Sequence, residues 1–470
     1  MFYHHLLEKF AKQSHVKVGL IGGGNYGTAI VTQSLFNKYL TVNIVADQNI
    51  ENAKNSYREA NIPDEEICMC NTLSEAKAAI EQGKYVVTSS PDIIFQLDID
   101  VVAEATGNPE AGAHHAKLAL ENMKHMVMIT KETDSVIGPV LHEMFKQKGL
   151  VYTPVDGDQP AILMQLVEWA RLIGLEIVSA GKSRDGEYIY DEREGTVTHP
   201  EDVKKGIPDP VVVKISQEDA KYLEFIPEGK GEEYLQKRRK ILSELPQTAG
   251  FDYCEIVMIA NATGLVPDVE NLHQGSLRVN EVPIVYCSTE NGGIFAGEGR
   301  IDIITCLRRK EEASMGGGVY LVVKSKNAYS QNILTSKGLI GNYDNSVAVI
   351  CHPYHLCGVE SSTSLMSAAM LGVDTGAREY KHSFDLVRRA VRDLPAGTLC
   401  GNDRDRNMSS FIAPAAVKSG TNPIPAHLLN GNKLKMDVKA GSVITYDMVQ
   451  EPESSVLWDL RGKQEKFFLE

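Results

Sequence analysis

The sequence predicts an α/β chain in three parts: a doubly wound parallel-sheet domain with an N-terminal helix over 1–150, a central α+β domain over 151–389, and a β-rich module over 390–470. Three observations predict it. Between Val16 and Leu150, short β-branched runs alternate with amphipathic stretches, as parallel strands joined by helices do. After Asp185, Pro, Gly and charged residues recur between apolar runs, and the glycine clusters at 292–293, 297–299 and 316–318 punctuate strands at about 301–306 and 319–323. In the tail, Asp393-Leu-Pro-Ala-Gly397 recurs as Asp437-Val-Lys-Ala-Gly441, a short repeat of strand and Ala-Gly turn.

Composition bounds the classes. The chain has 470 residues, 43% hydrophobic and 23% charged, enough for two or three cores. A formal charge of −14 argues against a nucleic-acid binder, and the basic run Lys237–Lys240 reads as a solvated helix face. No apolar run approaches the ~20 residues of a bilayer span. The opening Met1–Phe10 segment lacks the pattern of a signal peptide and reads as a helix lying against the first domain. Eight scattered cysteines fit reduced thiols, hence a cytoplasmic location.

In chain order, Val16–Ile21 is a strand that breaks into Gly22, Gly24 and Gly27, a G-x-G-x-x-G turn opening a helix. Such glycines allow a tight turn, close approach of a pyrophosphate, and helix–strand packing in the Rossmann type of nucleotide-binding fold. Thr41–Ala46 is the second strand. It ends in Asp47, about twenty residues past the last glycine, where a carboxylate can hold the hydroxyls of a ribose. Tyr85–Thr88 and Leu97–Ala105 are further strands, and the second delivers Thr106-Gly107 to the sheet edge that binds ligands. The cofactor-binding set is Gly22, Gly24, Asn25, Tyr26, Gly27, Asp47, Thr106 and Gly107. A helix over 111–122 and a strand over 126–129 lead to Lys131, which either stabilises charge on a reacting oxygen or simply caps the strand.

Asp156 and Asp158 precede a helix at about 161–173 and either cap it or bind substrate hydroxyls or a divalent cation. The strand 175–180 delivers Lys182 into a turn with Arg184, suited to a phosphate or carboxylate, or else an exposed turn lysine. Loops and one surface helix, 232–245, fill 185–247, and a helix covers 253–261. Cys351, His352, His355 and Cys357 invite a zinc reading, but no second pair has matching spacing. The two histidines are instead expected to line the active cleft. Lys131, Lys182 and Asp158 are the candidate catalytic residues.

Over roughly the first 150 residues the chain resembles the cofactor domain of homoserine dehydrogenases, through Val18–Gly27, Glu104–Gly107 and Ile129–Lys131. As a whole it resembles homoserine-dehydrogenase-like proteins with a C-terminal SAF domain, through Gly157–Pro160, Ala180–Lys182, Asn261–Leu265, Pro353–Glu360 and the tail repeats. That group includes the 1-deoxy-D-xylulose 5-phosphate reductoisomerase-like enzymes of isoprenoid synthesis. The resemblance implies an NADP-dependent oxidoreductase, and the chain is expected to act as a homodimer on a small phosphorylated ketose or polyol held between the first and central domains. Asp47 leans instead to NAD, so the cofactor is written NAD(P). A magnesium or manganese ion, ligands unassigned, would suit a reductoisomerase. The alternatives are a homoserine dehydrogenase, or a nucleotide-sensing or assembly protein without turnover.

Overall fold

A computed structural model describes residues 2–200, 211–247 and 250–470. The chain folds into two compact units, one of residues 1–161, 356–409 and 414–470, the other of 162–355 and 410–413. No helix among the described residues is long and apolar enough to cross a membrane.

The first unit is built on a seven-stranded sheet: β1 Val16–Ile21, β2 Leu40–Ala46, β3 Ile67–Met69, β4 Tyr85–Thr88, β5 Val101–Glu104, β6 His125–Met128 and β7 Tyr152–Pro154. Every pairing is parallel, in the order β3-β4-β2-β1-β5-β6-β7. Helices on both faces bury the central strands β1 and β2, whose residues are apolar apart from Lys17 in β1 and Thr41 and Asn43 in β2. Because β1 has β2 on one side and β5 on the other, winding reverses at β1, and ligands of such sheets bind at the carboxyl ends beside that reversal. The strand expected over 97–105 is confined to β5. Ahead of it, the carboxylates of Asp98 and Asp100 take the Lys17 side chain and backbone N–H, the latter at 2.7 Å.

The crossover helices start where their caps dictate. Helix α1 (Phe2–Phe10) opens the chain, and α2 (Asn25–Ser34) follows the glycine turn. Next come α3 (Ile50–Glu59), capped by Asn49, and α4 (Leu73–Glu81), capped by a Thr72–Glu75 box. After the short α5 (Asp92–Gln96), α6 (Pro109–Glu121) is capped by Asn108 and has proline in its first turn. Helix α7 (Lys131–Gln147) begins at Lys131, so that lysine opens a helix rather than extending a strand end.

The tail belongs to this same unit. Its two repeats lie against each other: Leu394 and Val438 exchange backbone hydrogen bonds at 2.8 Å, and Asp393 accepts from the Ala440 N–H while Asp437 accepts from that of Ala396. The expected β-rich character stops short of the chain end, because Val456–Phe468 is a helix capped by Ser455. Leu457 and Leu460 of that helix share one core with Leu120, Val136 and Val140 of α6 and α7.

The second unit carries a ten-stranded mixed sheet. Its strands are β8 Glu176–Ser183, β9 Tyr188–Asp191, β10 Thr196–Thr198, β11 Val212–Lys214, β12 Val266–Pro267, β13 Gly275–Leu277, β14 Arg300–Arg308, β15 Val319–Lys324, β16 Ile340–Gly341 and β17 Ala348–His352. The strands expected at 301–306 and 319–323 are β14 and β15, which are not neighbours in the sheet. β8 lies between them, parallel to β14 and antiparallel to β15. The loops expected over 185–247 hold three short strands, β9 to β11, whose Tyr188, Val197 and Val213 form a small core with Leu223 and Leu242. The part of that expectation at 201–210 lies outside the described residues. The surface helix is Gly231–Ile241, and the helix expected at 253–261 runs Gly250–Thr263.

Candidate active site

Gly22 has φ +103° at the end of β1, and a Cβ there would sit 2.4 Å from the Ala105 carbonyl oxygen after β5. Gly27 is equally constrained, its Cβ falling 2.0 Å from the Gly22 oxygen, whereas a Cβ on Gly24 would meet nothing within 4 Å. The outer two glycines therefore close the turn, and the middle one leaves its backbone approachable. Asp47 ends β2 and reaches across: its carboxylate accepts from the Gly23 N–H and the Asn49 N–H, both at 2.8 Å.

A cavity of about 400 Å³ opens here, with Gly22, Gly24, Asp47, Gln48, Asn52 and Thr106 in its wall. Neither lysine nor arginine is among its described lining residues. Beside it, the fully buried Glu104 accepts from the Thr106 hydroxyl at 2.5 Å and lies 3.3 Å from His115 Nδ1, and Gly107 N–H donates to Thr130 Oγ1 at 2.9 Å. These bonds fix the loop after β5. Of the predicted nucleotide residues, Gly22, Gly24, Asp47 and Thr106 line the cavity, while Gly27 is packed beneath the turn.

Tyr26 points toward a second cluster. Its hydroxyl accepts from Ser361 Oγ at 3.3 Å, and burial, reinforced by the negative charge of Asp158, raises its pKa well above the phenol range. Lys131 Nζ lies 3.3 Å from an Asp158 carboxylate oxygen, and Asp158 also accepts from the Gln159 N–H at 2.9 Å, at the start of α8 (Gln159–Leu172). Asp156 accepts instead from the Thr363 hydroxyl at 2.5 Å. Lys131 keeps 26% of its side chain exposed against 6% for Asp158, so the lysine is the member a substrate can reach.

Lys182 is not in a turn. It is the seventh residue of β8 and fully buried, with Nζ 2.6 Å from Asp252 and in close contact with Glu255. Both acids project from Gly250–Thr263, a helix otherwise lined with Cys254, Ile256, Val257 and Ile259. Sequence reading missed them, although two carboxylates three residues apart in so apolar a helix demand a buried cation. Arg184 approaches Asp252 at 3.5 Å. The surrounding protein raises the pKa of the next residue, Asp185, although 58% of that side chain is open, while Lys182 and His355 pull it back. His355 Nδ1 lies 2.7 Å from the Gly317 carbonyl oxygen. His352 Nδ1 instead contacts the Tyr354 carbonyl oxygen, also at 2.7 Å. No group of three or more metal-ligating side chains is found among the described residues, so the divalent ion has no ligand set there.

Comparison with known proteins adds one family. A family model matches residues 157–214 and 248–361. Its description is the catalytic domain of the oxidoreductase DRL. The match takes in Asp158, Lys182, Asp252, Glu255 and His355, and leaves Lys131 and the glycine turn outside. No curated protein matches the chain. Among solved structures, similarity extends to GenD2 from gentamicin A biosynthesis in complex with NAD, at 15% identity over 37% of this chain and 45% of that one, TM-score 0.26. It extends also to myo-inositol dehydrogenase from Lactobacillus casei in complex with NAD(H) and myo-inositol, at 18% identity over 40% and 65%, TM-score 0.26. An oxidoreductase from Bacillus cereus aligns at 12% identity over 76% of this chain and 90% of its own, TM-score 0.35. The chain thus spans less than two thirds of the first two structures' lengths.

Proposed function

We propose that this chain is a cytoplasmic NAD(P)-dependent oxidoreductase acting on a small phosphorylated ketose or polyol, and that it works as a homodimer. The observation that carries the reading is the glycine turn at the β1/β5 reversal, with open space over Gly24 and a carboxylate at the end of β2. Support for the reaction class comes from the likeness of residues 157–214 and 248–361 to an oxidoreductase catalytic domain. Eight cysteines outside any disulfide accord with a reducing compartment.

Gly22, Gly24 and Asn25 would cradle the pyrophosphate while Gly27 lets the helix pack beneath the turn, Asp47 would hold the ribose, and Thr106 and Gly107 the nicotinamide side. The bound nicotinamide supplies or accepts hydride. Asp47 and a wall without lysine or arginine favour NAD over NADP, because a 2′-phosphate would meet negative charge and find no cation. Lys131 polarises the reacting oxygen, and Asp158 holds its ammonium in place. Lys182 contributes differently from a free anion-binding lysine, since two carboxylates already claim its charge. It orders Asp252 and Glu255.

The test is a panel of tetrose and pentose phosphates, polyols, small hydroxy acids and homoserine, followed by reduced-nicotinamide absorbance. Turnover of a phosphorylated sugar is expected, and silence across the panel with cofactor still bound would sink the enzyme reading. For cofactor choice, Asp47→Ser should narrow the preference for NAD, and an unchanged ratio of affinities would show that Asp47 does not touch the ribose. Light scattering on the purified chain checks the dimer.

A further inference from the structure

We infer that His115 reads the base of the dinucleotide, its Nε2 accepting a hydrogen bond from the 6-amino group of adenine, with Glu104 setting the tautomer that leaves Nε2 able to accept. This rests on the dinucleotide reading above. The cavity that holds Asp47 runs on past Ser89 and Pro91, which follow β4, to Ala111 and His115 of α6. Lys131 is not among its described lining residues, and Thr106 marks its nicotinamide border. The cavity therefore takes the adenosine end, the ribose at Asp47 and the base beyond it. Pro91 and Ala111 offer a flat base apolar surface, and His115 is the one ring among the described lining residues.

Glu104 ends β5 and is fully buried. Three donors converge on its Oε1: the Thr106 hydroxyl at 2.5 Å, and the Thr106 N–H and His115 Nδ1 at 3.3 Å each. A carboxylate only accepts, so the ring proton sits on Nδ1 and the lone pair on Nε2. Phe95 steadies the ring from its flank, stacked at 6.3 Å between centroids and 29° between planes. With Nδ1 turned to Glu104, the edge left for the cavity is the one that carries Nε2. Glu104 Oε2 meanwhile is buried with no hydrogen-bond partner among the described residues. Burying a half-paired carboxylate destabilises a fold, a departure expected of a site rather than of a core.

The pair gives the wall a chemical preference. In the neutral ring Nε2 accepts from the N–H of a 6-amino group, whereas the 6-oxo group of hypoxanthine would face it with lone pairs alone. Across the cavity, Asn108 Oδ1 caps α6 by accepting from the Ala111 N–H at 3.0 Å, and Asn52 Oδ1 accepts from Asn49 Nδ2 at 3.3 Å, so both amide oxygens already have a donor. A site that hydrogen-bonds an N–H rejects the analogue lacking it, because its own acceptor is then left unpaired.

Calorimetric titration of the full chain with NAD and with nicotinamide hypoxanthine dinucleotide tests this without turnover. NAD should bind about tenfold tighter or more, the contribution of one hydrogen bond. His115→Phe, which keeps a ring beside Phe95 and removes the acceptor, should bring the two affinities within about threefold of each other by weakening NAD alone. A histidine that only supports the fold would instead leave the ratio in place and lower both affinities together. Equal binding of the two dinucleotides by the unaltered chain overturns the assignment, as does a ratio that His115→Phe does not change. Should His115→Phe fail to fold, His115→Leu carries the same expectation. If neither dinucleotide binds the unaltered chain, it is the dinucleotide reading that falls.

Discussion

Lys182 shows how much a single buried charge can organise. Its ammonium is the cation opposite Asp252 and Glu255, and removing one partner of such a cluster leaves uncompensated charge in a poorly solvating interior. Lys182→Met should therefore cost about 3–5 kcal/mol in urea unfolding. A change below about 1 kcal/mol would mean that water already solvates the two carboxylates. Lys131 is the opposite case, a partly open lysine beside the Asp158 carboxylate. Lys131→Ala should reduce turnover at least ~10²-fold while leaving nicotinamide affinity nearly unchanged, and equal losses in both would contradict its role at the reacting oxygen. Asp134 gives a pH signature. Burial pushes its carboxyl up to about 7, with the Tyr152 hydroxyl donating to it at 3.2 Å. Its folded pKa thus exceeds its unfolded one. The stability it contributes is fully present below the unfolded value and lost as pH rises toward 7. Asp134→Asn should flatten the slope of stability against pH in that window, by at most about 1.4 kcal/mol per pH unit.

At the scale of elements, what was legible in the sequence was what is local. Strands β1 and β2, the glycine turn and the caps announce themselves within a few residues, because burial on both faces and turn geometry leave marks in the immediate sequence. The mixed sheet of the second unit was not legible. β8 joins β14 and β15 across more than a hundred residues, and no local pattern records which strand a run will pair with. Lys182 fell into the same gap, since its partners lie 70 and 73 residues away. The tail repeat was visible as a repeat, but its mutual pairing was not. That pairing permits a clean test, because Gly397 and Gly441 have φ of +84° and +83° and a Cβ on either would meet nothing within 4 Å. Substituting alanine at either glycine should therefore cost only the left-handed backbone penalty, about 1–2 kcal/mol by calorimetry.

Across the whole molecule, the first unit is assembled from three separated stretches of chain. The tail is part of its core rather than an appendage. Arg461 of the last helix forms a two-pronged pair with Asp385 at 2.6 and 2.7 Å and a third bond to Glu465 at 2.7 Å. Burial alone would raise the Asp385 carboxyl, but Arg461 and His382 outweigh it and hold the pKa well below the usual range. A chain ending at Ser455 would leave that carboxylate buried without its arginine and strip Leu457 and Leu460 from α6 and α7. Loss of the cooperative thermal transition is expected for it. A melting curve like that of the full chain would show the last helix to be dispensable.

The same placement bears on how the protein is made. The apolar face of α6 and α7 leaves the ribosome roughly 300 residues before the helix that covers it, an interval of about 15–60 s at ordinary elongation rates. For that time the outer face of α6 and α7 is bare, a client for holding chaperones, and its cover waits on synthesis of the helix 456–468.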